Sequence, residues 1–216
     1  MKIAQIAPLI ESVPPRLYGG TERIVSHLTE ELVRQGHDVT LFASGDSLSS
    51  AELVPCTERA LRLEPRLRDP LPHYMVMLDG VRRRAGEFDV LHFHIDYLHY
   101  PLFRALAART VTTAHGRQDL PDLPVVYEAF SDYPLVSISD DQRRPWPRAS
   151  WVRTVHHGLP PDAYAFSPEP GDGYLAFLGR ICPEKRPDRA IEIARRTGLP
   201  LRIAAKVDRG RSGLFR

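Results

Sequence analysis

The sequence predicts an α/β protein that consists of a doubly wound parallel sheet followed by the beginning of a second unit of the same kind. Short apolar runs alternate with segments of helical periodicity from the N-terminus to residue 155. A segment rich in Pro and Gly, residues 157–173, then interrupts the alternation, and one more strand, helix and strand follow it. We therefore predict a complete Rossmann-like domain at residues 1–167 and an incomplete βαβ unit at residues 168–216.

The first predicted strand leads into a glycine-containing loop. Residues 2–8 form a short apolar run, which is typical of a buried strand, and the loop after it ends in Gly19 and Gly20. A backbone without side chains lets a phosphate approach closely. A plain tight turn explains the glycine pair equally well.

The helix after this loop has clear signals at both ends. Thr21 is placed to cap it, and Gly36 predicts its end. One stripe of the helix is apolar, at Val25, Leu28 and Leu32. Residues 38–43 then predict a second strand, and this order gives a right-handed parallel βαβ unit.

The remaining elements continue the alternation. We predict strands at residues 88–94, 110–114, 134–138, 151–155, 174–178 and 201–205, and helices at 73–84, 97–107, 124–130, 140–148 and 184–197. Residues 53–69 show no firm periodicity and are predicted to be irregular. Ligands of such sheets bind beyond the carboxyl ends of the strands. The residues predicted to lie there are Gly19, His94, Asp96, His115 and Ser139.

Composition excludes several classes of protein. The chain is 43% hydrophobic and 26% charged with a net charge of +2, which is ordinary for a soluble globular protein and gives no reason to expect a nucleic-acid partner. Its two cysteines indicate neither a disulfide framework nor a thiolate metal site, so we expect a cytoplasmic protein. The basic runs at residues 82–84 and 143–144 are compatible with contact to an anionic membrane, although solvated helix faces explain them better.

A second candidate site follows the predicted strand at 174–178. That strand should end at Gly179, and two cations, Arg180 and Lys185, come directly after it. Pro183 and Glu184 are placed to open a helix, and a helix N-terminus beside fixed cations favours an anion such as a diphosphate. The alternative is a solvated loop whose charges are incidental.

Four polar residues near the third predicted strand suggest two interpretations. Alternation puts His92 and His94 on one face of the strand, with Asp96 and His99 on the loop beyond. A metal site is the less favoured interpretation, because neither ligand geometry nor an outer-shell partner can be argued. An acceptor-facing loop or a satisfied buried histidine is favoured instead.

The other candidate polar residues divide between function and structure. His115 follows a buried strand and precedes Gly116, so we favour a functional role over a hydrogen bond to its own turn. We predict that residues 156–157 form a structural turn. Ser139 is an equally good candidate for capping the next helix.

Taken together, the motifs resemble those of the retaining glycosyltransferases of family four, which have the GT-B fold. Five short segments carry this resemblance in the same order along the chain: Gly-Gly-Thr-Glu at 19–22, Thr-Ala-His-Gly at 113–116, Ser-Ile-Ser at 137–139, His-Gly at 157–158, and Gly-Arg with Pro-Glu-Lys at 179–185. The resemblance implies two Rossmann-like domains that face each other, with a nucleotide-sugar bound mainly by the second.

The resemblance also implies a role for each matching residue. Arg180 and Lys185 would bind the donor diphosphate, and Gly19 and Gly20 would close on it from the first domain. His115 would lie near the transferred sugar as the candidate catalytic residue. The residues implied on the acceptor side are Thr21, His94, Asp96 and Ser139. Neither a metal nor another cofactor is implied.

The donor and acceptor follow from the resemblance as well. It is closest to members that act on small acceptors such as a reduced pterin and use uridine diphosphate glucose. The implied partners are thus a nucleotide-sugar, transferring a hexose, and a small-molecule or glycan acceptor.

One family feature does not occur in its usual place. Family members carry a later Glu-x7-Glu segment that holds the ribose, but here that spacing occurs only in the pairs Glu22/Glu30 and Glu184/Glu192, both in a different context. We therefore expect a family member that ends within its second domain, with weak donor binding and negligible turnover. The polar residues 208–216 are expected to be unstructured.

Two other functions remain as alternatives. The first is a Rossmann-like binding module or remnant without catalysis. A dinucleotide oxidoreductase is disfavoured, because the first βα turn lacks Gly-x-Gly-x-x-Gly and no acidic residue directly follows the second strand.

Overall fold

The structure is a computed structural model that describes residues 1–16, 18–161, 163, 165–169 and 173–207, the last without its side chain. The chain divides into two compact units, Met1–Pro160 and Pro161–Arg216. Both units are α/β, as predicted.

The first unit contains a seven-stranded parallel sheet. Its strands are β1 (Lys2–Ile6), β2 (Asp38–Ser44), β3 (Glu52–Thr57), β4 (Val90–Phe93), β5 (Thr110–Thr113), β6 (Leu135–Ser137) and β7 (Trp151–Thr154). Their order across the sheet is β3-β2-β1-β4-β5-β6-β7, so β1 lies in the interior of the sheet between β2 and β4. This is the doubly wound Rossmann-like arrangement that the alternation predicted.

Helices cover both faces of this sheet. They are α1 (Gly20–Arg34), α2 (Leu71–Arg84), α3 (Tyr100–Phe103) and α4 (Pro124–Ala129). Alternation along β2 sends Leu41 into a cluster with Val25 of α1, whereas Phe42 joins Met77 and Leu78 of α2 in another. The sheet therefore has an apolar core on each side.

The start and end of α1 are determined by glycines. Gly19 is the N-cap residue and makes no side-chain cap bond, and the helix begins at Gly20. The prediction that Thr21 caps the helix is therefore wrong, because Thr21 already lies in the first turn. The predicted end is confirmed: the helix stops at Arg34, and Gly36 adopts a φ of 84°, which suits glycine.

The prediction that residues 53–69 are irregular is wrong in part. Residues Glu52–Thr57 form the edge strand β3, and Leu61–Leu63 form a short 3-10 turn. Pro55 hid this strand in the sequence, since proline is rare in strands other than at a sheet edge. Here it pairs with Ala43 at the irregularity between Ala43 and Ser44.

Two predicted helices are shorter than expected. The segment predicted as a helix at 97–107 contains a single α-helical turn, α3, followed by a 3-10 helix at Arg104–Arg109. The segment predicted as a helix at 140–148 forms a 3-10 turn at Asp141–Arg143. Pro145 and Pro147 restrict the backbone beyond that turn, which explains why the pattern does not continue as a helix.

The second unit consists, in its described part, of a parallel βαβ motif. Its elements are β8 (Leu175–Ile181), α5 (Pro187–Thr197) and β9 (Leu201–Val207). The predicted strand end at Gly179 is wrong, since β8 continues through Arg180 and pairs with β9 along its whole length. The helix begins three residues later than Glu184, after Arg186 in a left-handed conformation with φ 53°. The predicted unstructured tail at 208–216 lies outside the described residues.

Within the described part of the chain, no helix has both the length and the apolar character needed to cross a bilayer.

Candidate functional site

The loops beyond β4, β5 and β6 bring the polar candidates of the first unit to one edge of the sheet. His94 directly follows β4, His115 lies two residues after β5, and Ser139 lies two residues after β6. These strands are parallel neighbours, so their carboxyl ends meet at the same edge. The predicted position of these residues is confirmed.

Gln5, on the interior strand β1, connects two histidines of β4 and its following loop. Its side chain is fully buried. Gln5 Nε2 lies 3.4 Å from His92 Nδ1, and Gln5 Oε1 lies 2.7 Å from His94 Nε2. The two imidazole rings share one face of the strand, with centroids 4.2 Å apart, as alternation predicted.

The network continues from His94 to His115 and reaches the surface at His157. His94 Nδ1 lies 2.9 Å from His115 Nε2, and the His115 and His157 ring centroids are 5.4 Å apart. His94 is buried, whereas His157 is exposed. Residues 155–160 form an irregular segment and not the turn predicted for His156 and His157.

Burial keeps these imidazoles neutral. It lowers the pKa of His115 to about 3 and the pKa of His92 to about 4. It also pulls the pKa of His94 well below its ordinary value, and the neighbouring imidazoles lower it further. At neutral pH His115 is therefore a hydrogen-bonding group and not a cation.

One nitrogen of His115 is unsatisfied. His115 Nδ1 is buried and has no hydrogen-bond partner within the described residues. A buried polar atom without a partner costs free energy, and in native proteins such atoms often mark functional positions. His115 is thus the candidate whose environment points most directly to a ligand.

A cleft of about 540 Å³ opens beside His115 at the carboxyl ends of β5 and β6. The loops at residues 115–119 and 138–145 form its walls. Its charges pair within the walls, with Arg117 Nε 2.8 Å from Asp119 Oδ1 and Arg144 Nη1 2.8 Å from Asp141 Oδ1. The charged side chains that line the cleft are therefore paired with one another.

Gln142 joins the two walls of the cleft. Its Nε2 donates to the carbonyl oxygens of Ala114 at 2.9 Å and Gly116 at 2.8 Å, and its Oε1 accepts from the Ile138 amide at 2.9 Å. Ser139 Oγ accepts from the Gln142 amide at 3.2 Å. The Ser139 hydroxyl thus bonds an amide of the following 3-10 turn, as the capping alternative expected, but the N-cap residue of that turn is Asp140. Ser139 also lines the cleft.

The two glycines at the start of α1, the N-cap Gly19 and the first helical residue Gly20, have different surroundings. A Cβ on Gly19 would lie 2.7 Å from Pro15 Cβ and 2.9 Å from Glu22 Oε2, so the packing of the loop excludes a side chain there. A Cβ on Gly20 would meet nothing within 4 Å. The backbone at Gly20 is therefore open to an approaching ligand, at the end of α1 where helix amides favour anions.

Glu22 packs beneath this loop. It is buried, and burial together with the nearby Glu11 carboxylate raises its pKa, although backbone amides of Glu22 and Glu11 oppose the rise. Glu11 itself forms a salt bridge with Arg62. Glu22 thus connects the segment after β1 to the first turn of α1 and helps to fix the glycine loop.

Asp96 and Thr21 occupy different parts of this edge. Asp96 is exposed, and its backbone is left-handed with a φ of 53°. The Oδ1 atom of Asp96 lies 4.0 Å from the position that a Cβ on Gly116 would occupy. Asp96 therefore lies next to the His115 loop. Thr21 is half-buried in the first turn of α1.

In the second unit, one predicted cation lies on a strand and the other lies in the turn that follows it. Arg180 is half-buried on β8, and Lys185 is exposed in the turn before α5, where its amide donates to the Cys182 carbonyl at 3.1 Å. The aliphatic part of the Lys185 side chain lies close to Gly179, because a Cβ on Gly179 would be 3.8 Å from Lys185 Cγ. Lys185 and the strand that carries Arg180 are thus adjacent, although Arg180 belongs to the strand and not to the loop.

Across the described ranges, no group of His, Cys, Asp or Glu is arranged to hold a metal ion. His99 is fully buried; its ring stacks on Phe93 with centroids 3.7 Å apart, and its Nε2 lies 3.1 Å from Thr112 Oγ1. His99 is a core residue, so the expected burial is found, but its Nδ1 has no hydrogen-bond partner among the described residues and the ring is not fully satisfied.

The two Glu-x7-Glu pairs serve the local structure. Glu30 accepts from Ser49 Oγ at 2.7 Å and from the Ser50 amide at 3.0 Å. Glu192 forms a salt bridge with Arg196 on α5. Both contacts agree with the view that this spacing is incidental here.

The sequence of the chain matches one known protein family. The profile of Glycosyltransferase Family 4 covers residues 18–157, which is more than half of the chain. The protein therefore belongs to glycosyltransferase family 4. A search of curated protein sequences gave no significant match.

Solved structures with a similar fold are glycosyltransferases of the GT-B type. One is AviGT4, a glycosyltransferase involved in avilamycin A biosynthesis, with a TM-score of 0.60 and 19% identity over 98% of this chain and 65% of that one. Another is sucrose-phosphate synthase from Thermosynechococcus elongatus, with a TM-score of 0.55 and 13% identity over 96% of this chain and 71% of that one. At such identities the likeness shows the fold, and this chain spans 65% of the length of AviGT4.

Proposed function

We propose that this chain belongs to a retaining glycosyltransferase that uses a nucleoside-diphosphate sugar, with the acceptor bound in the cleft beside His115. The observation that carries the proposal is the unsatisfied His115 Nδ1 at the carboxyl edge of a family 4 sheet. A neutral imidazole nitrogen in this position can bond a sugar or acceptor hydroxyl without adding charge.

The cleft supports an uncharged, polyhydroxylated or heterocyclic acceptor. Its arginines are paired with aspartates of the same loops, so it presents no net cationic surface to a polyanion. Its volume of about 540 Å³ lies in the usual range for small-molecule sites. A reduced pterin or a short glycan fits this chemistry.

Each unit by itself is proposed to offer a contact for the donor diphosphate. In the first unit it is the open backbone at Gly20, next to the N-cap Gly19, and in the second it is the cations Arg180 and Lys185. Departure of a nucleoside diphosphate builds negative charge, and fixed cations and helix amides stabilise that charge more in the transition state than in the ground state. The donor is proposed to be uridine diphosphate glucose, with transfer of a hexose and no resident metal.

Calorimetric titration with uridine diphosphate tests the diphosphate assignment. The described residues offer diphosphate ligands but no carboxylate pair in the context that holds the ribose, so we expect a dissociation constant of about 1 mM and negligible transfer. Replacing both Arg180 and Lys185 by Ala should weaken binding about tenfold, a loss of about 1.4 kcal/mol.

The double replacement of Arg195 and Arg196 by Ala is the matched control, because it removes the same charge from the last turn of α5. An equal loss of affinity for uridine diphosphate in both double variants would mean that binding depends on the total charge of the unit, and the proposed site would be wrong. The alternative, a binding module without catalysis, would be favoured by acceptor binding in the cleft together with no response to any diphosphate sugar.

A further inference from the structure

Gln5 is an unusual residue for its position. It is fully buried on β1 in the interior of the sheet, although the strand around it is apolar. A buried amide must satisfy its donors and its acceptor, and the described contacts of Gln5 are to the rings of His92 and His94. Whether the ring nitrogen next to Gln5 carries a proton therefore depends on whether it faces the NH2 group or the carbonyl oxygen of the Gln5 amide.

The His92 side of the amide is internally consistent. Gln5 Nε2 donates to His92 Nδ1, so a neutral His92 carries its proton on Nε2. That nitrogen lies 2.8 Å from Thr113 Oγ1 and can donate to it. The Thr113 hydroxyl can donate as well as accept, so this contact agrees with the amide orientation without selecting it.

The His94 side sets the direction of a longer chain. Gln5 Oε1 is an acceptor, so His94 Nε2 donates to it over 2.7 Å. A neutral His94 then has its lone pair on Nδ1, and the 2.9 Å contact requires His115 Nε2 to donate. His115 is left with its lone pair on Nδ1, the buried atom without a described partner.

We propose that Gln5 and His94 are positioning residues that hold His115 in the Nε2–H tautomer, so that its Nδ1 accepts a hydrogen bond from a hydroxyl of the sugar or of the acceptor. This inference rests on the proposed function for the identity of the hydroxyl, but the tautomer chain stands on contacts within the first unit alone.

The proton on His115 can be located directly by NMR. Long-range ¹H–¹⁵N correlation spectra of the ¹⁵N-labelled full chain distinguish protonated from unprotonated ring nitrogens. The ring signals that disappear in the variant His115→Gln are those of His115. We expect a single tautomer at pH 7.5, with the proton on Nε2. A proton on Nδ1 of His115 in the unmodified protein overturns the proposal.

The variant Gln5→Glu tests whether residue 5 controls the tautomer from a distance. When the introduced carboxyl group and His94 share an additional proton, His94 Nδ1 becomes a donor and His115 Nε2 must accept. The proton of His115 should then move to Nδ1 as the pH is lowered from 7.5 to 6.0. An unchanged His115 tautomer in a folded Gln5→Glu protein overturns the proposal.

Two controls separate this effect from general disturbance of the core. Gln5→Met removes the acceptor for His94 Nε2 without supplying a proton, so His115 should lose its single tautomer and show no change between pH 7.5 and 6.0. Thr40→Val changes a buried polar residue of β2 outside the network and should leave the spectra of His94 and His115 unchanged. The spectra need no ligand, so the tautomer can be confirmed even if uridine diphosphate fails to bind and the proposed function falls.

Discussion

The adjacent residues Gly19 and Gly20 differ in the space around their backbones. Gly19 has no space for a side chain, because Pro15 and Glu22 pack against its backbone, whereas Gly20 borders open space. Packing therefore explains Gly19, and ligand approach remains the proposed explanation for Gly20.

Replacing each glycine by Ala tests these explanations separately. Gly20→Ala should leave the melting temperature unchanged or raise it by a few degrees, since Ala at a compatible site stabilises by about 0.4–1 kcal/mol. It should nevertheless weaken binding of uridine diphosphate about tenfold, because the new methyl group occupies the proposed path of the phosphate. Differential scanning fluorimetry and calorimetric titration measure the two effects.

Gly19→Ala is the matched comparison at the neighbouring position. Its methyl group would overlap Pro15, so we expect a destabilisation of about 1–3 kcal/mol. If Gly20→Ala bound uridine diphosphate as well as the unmodified chain, a backbone contact with phosphate at this loop would be excluded.

The sequence indicated some of the site residues but could not reveal how they are connected. His94, His115 and Ser139 were predictable because each follows an apolar strand, and parallel strands end at a common edge. Gln5 was not recognised, since its partners lie 87 and 89 positions away in the sequence. The available signal was a polar residue inside an apolar strand, which is more informative than the apolar residues around it.

At the scale of elements, sequence periodicity identified the interior strands better than the edges. β1 and β2 are buried on both faces, and their sequences are mainly apolar despite Gln5 and Thr40. β3 is an edge strand with a proline, and β8 continues past Gly179 because β9 pairs with it up to Ile181. Such pairing depends on a distant strand and leaves no local pattern.

The two sheets should differ in local stability. β1 is paired on both sides and covered on both faces, whereas β8 and β9 pair with each other and leave Leu178 88% and Ile203 44% exposed. A two-stranded sheet with little apolar cover is marginal. We expect amides of β8 and β9 to exchange with deuterium several orders of magnitude faster than amides of β1.

Hydrogen–deuterium exchange followed by mass spectrometry measures this difference. The edge strand β3 is the internal control, because it is also paired on one side but belongs to the large sheet. Protection of β8 and β9 equal to that of β1 would show that the second unit is as stable as the first.

At the scale of the whole molecule, several buried imidazoles make the fold sensitive to acid. Burial lowers the pKa of His99 and of His115 to about 3 and that of His92 to about 4, and it lowers the pKa of His94 as well. Between pH 6.5 and these values the unfolded chain binds more protons than the folded chain. The free energy of unfolding should therefore fall as the pH falls, by up to about 1.4 kcal/mol per pH unit for each histidine.

Urea unfolding at pH 7.5, 6.5, 5.5 and 4.5 tests this expectation. His99→Phe should make the free energy of unfolding depend less steeply on pH, by the contribution of one histidine, while it keeps an aromatic ring against Phe93. His73→Phe, at an exposed position of α2, is the control for the added apolar surface. A free energy of unfolding that stays constant down to pH 4.5 would mean that these imidazoles are not held neutral by burial.

The place of β1 in the sheet also bears on how the protein is made. β1 is synthesised before both of its neighbours in the sheet, and the second of them, Val90–Phe93, follows more than eighty residues later. Until then the nascent chain presents an apolar ribbon with one open side, which is a site for mispairing or for a chaperone. Deleting residues 2–6 would accordingly remove an interior strand and leave β2 and β4 without their shared neighbour.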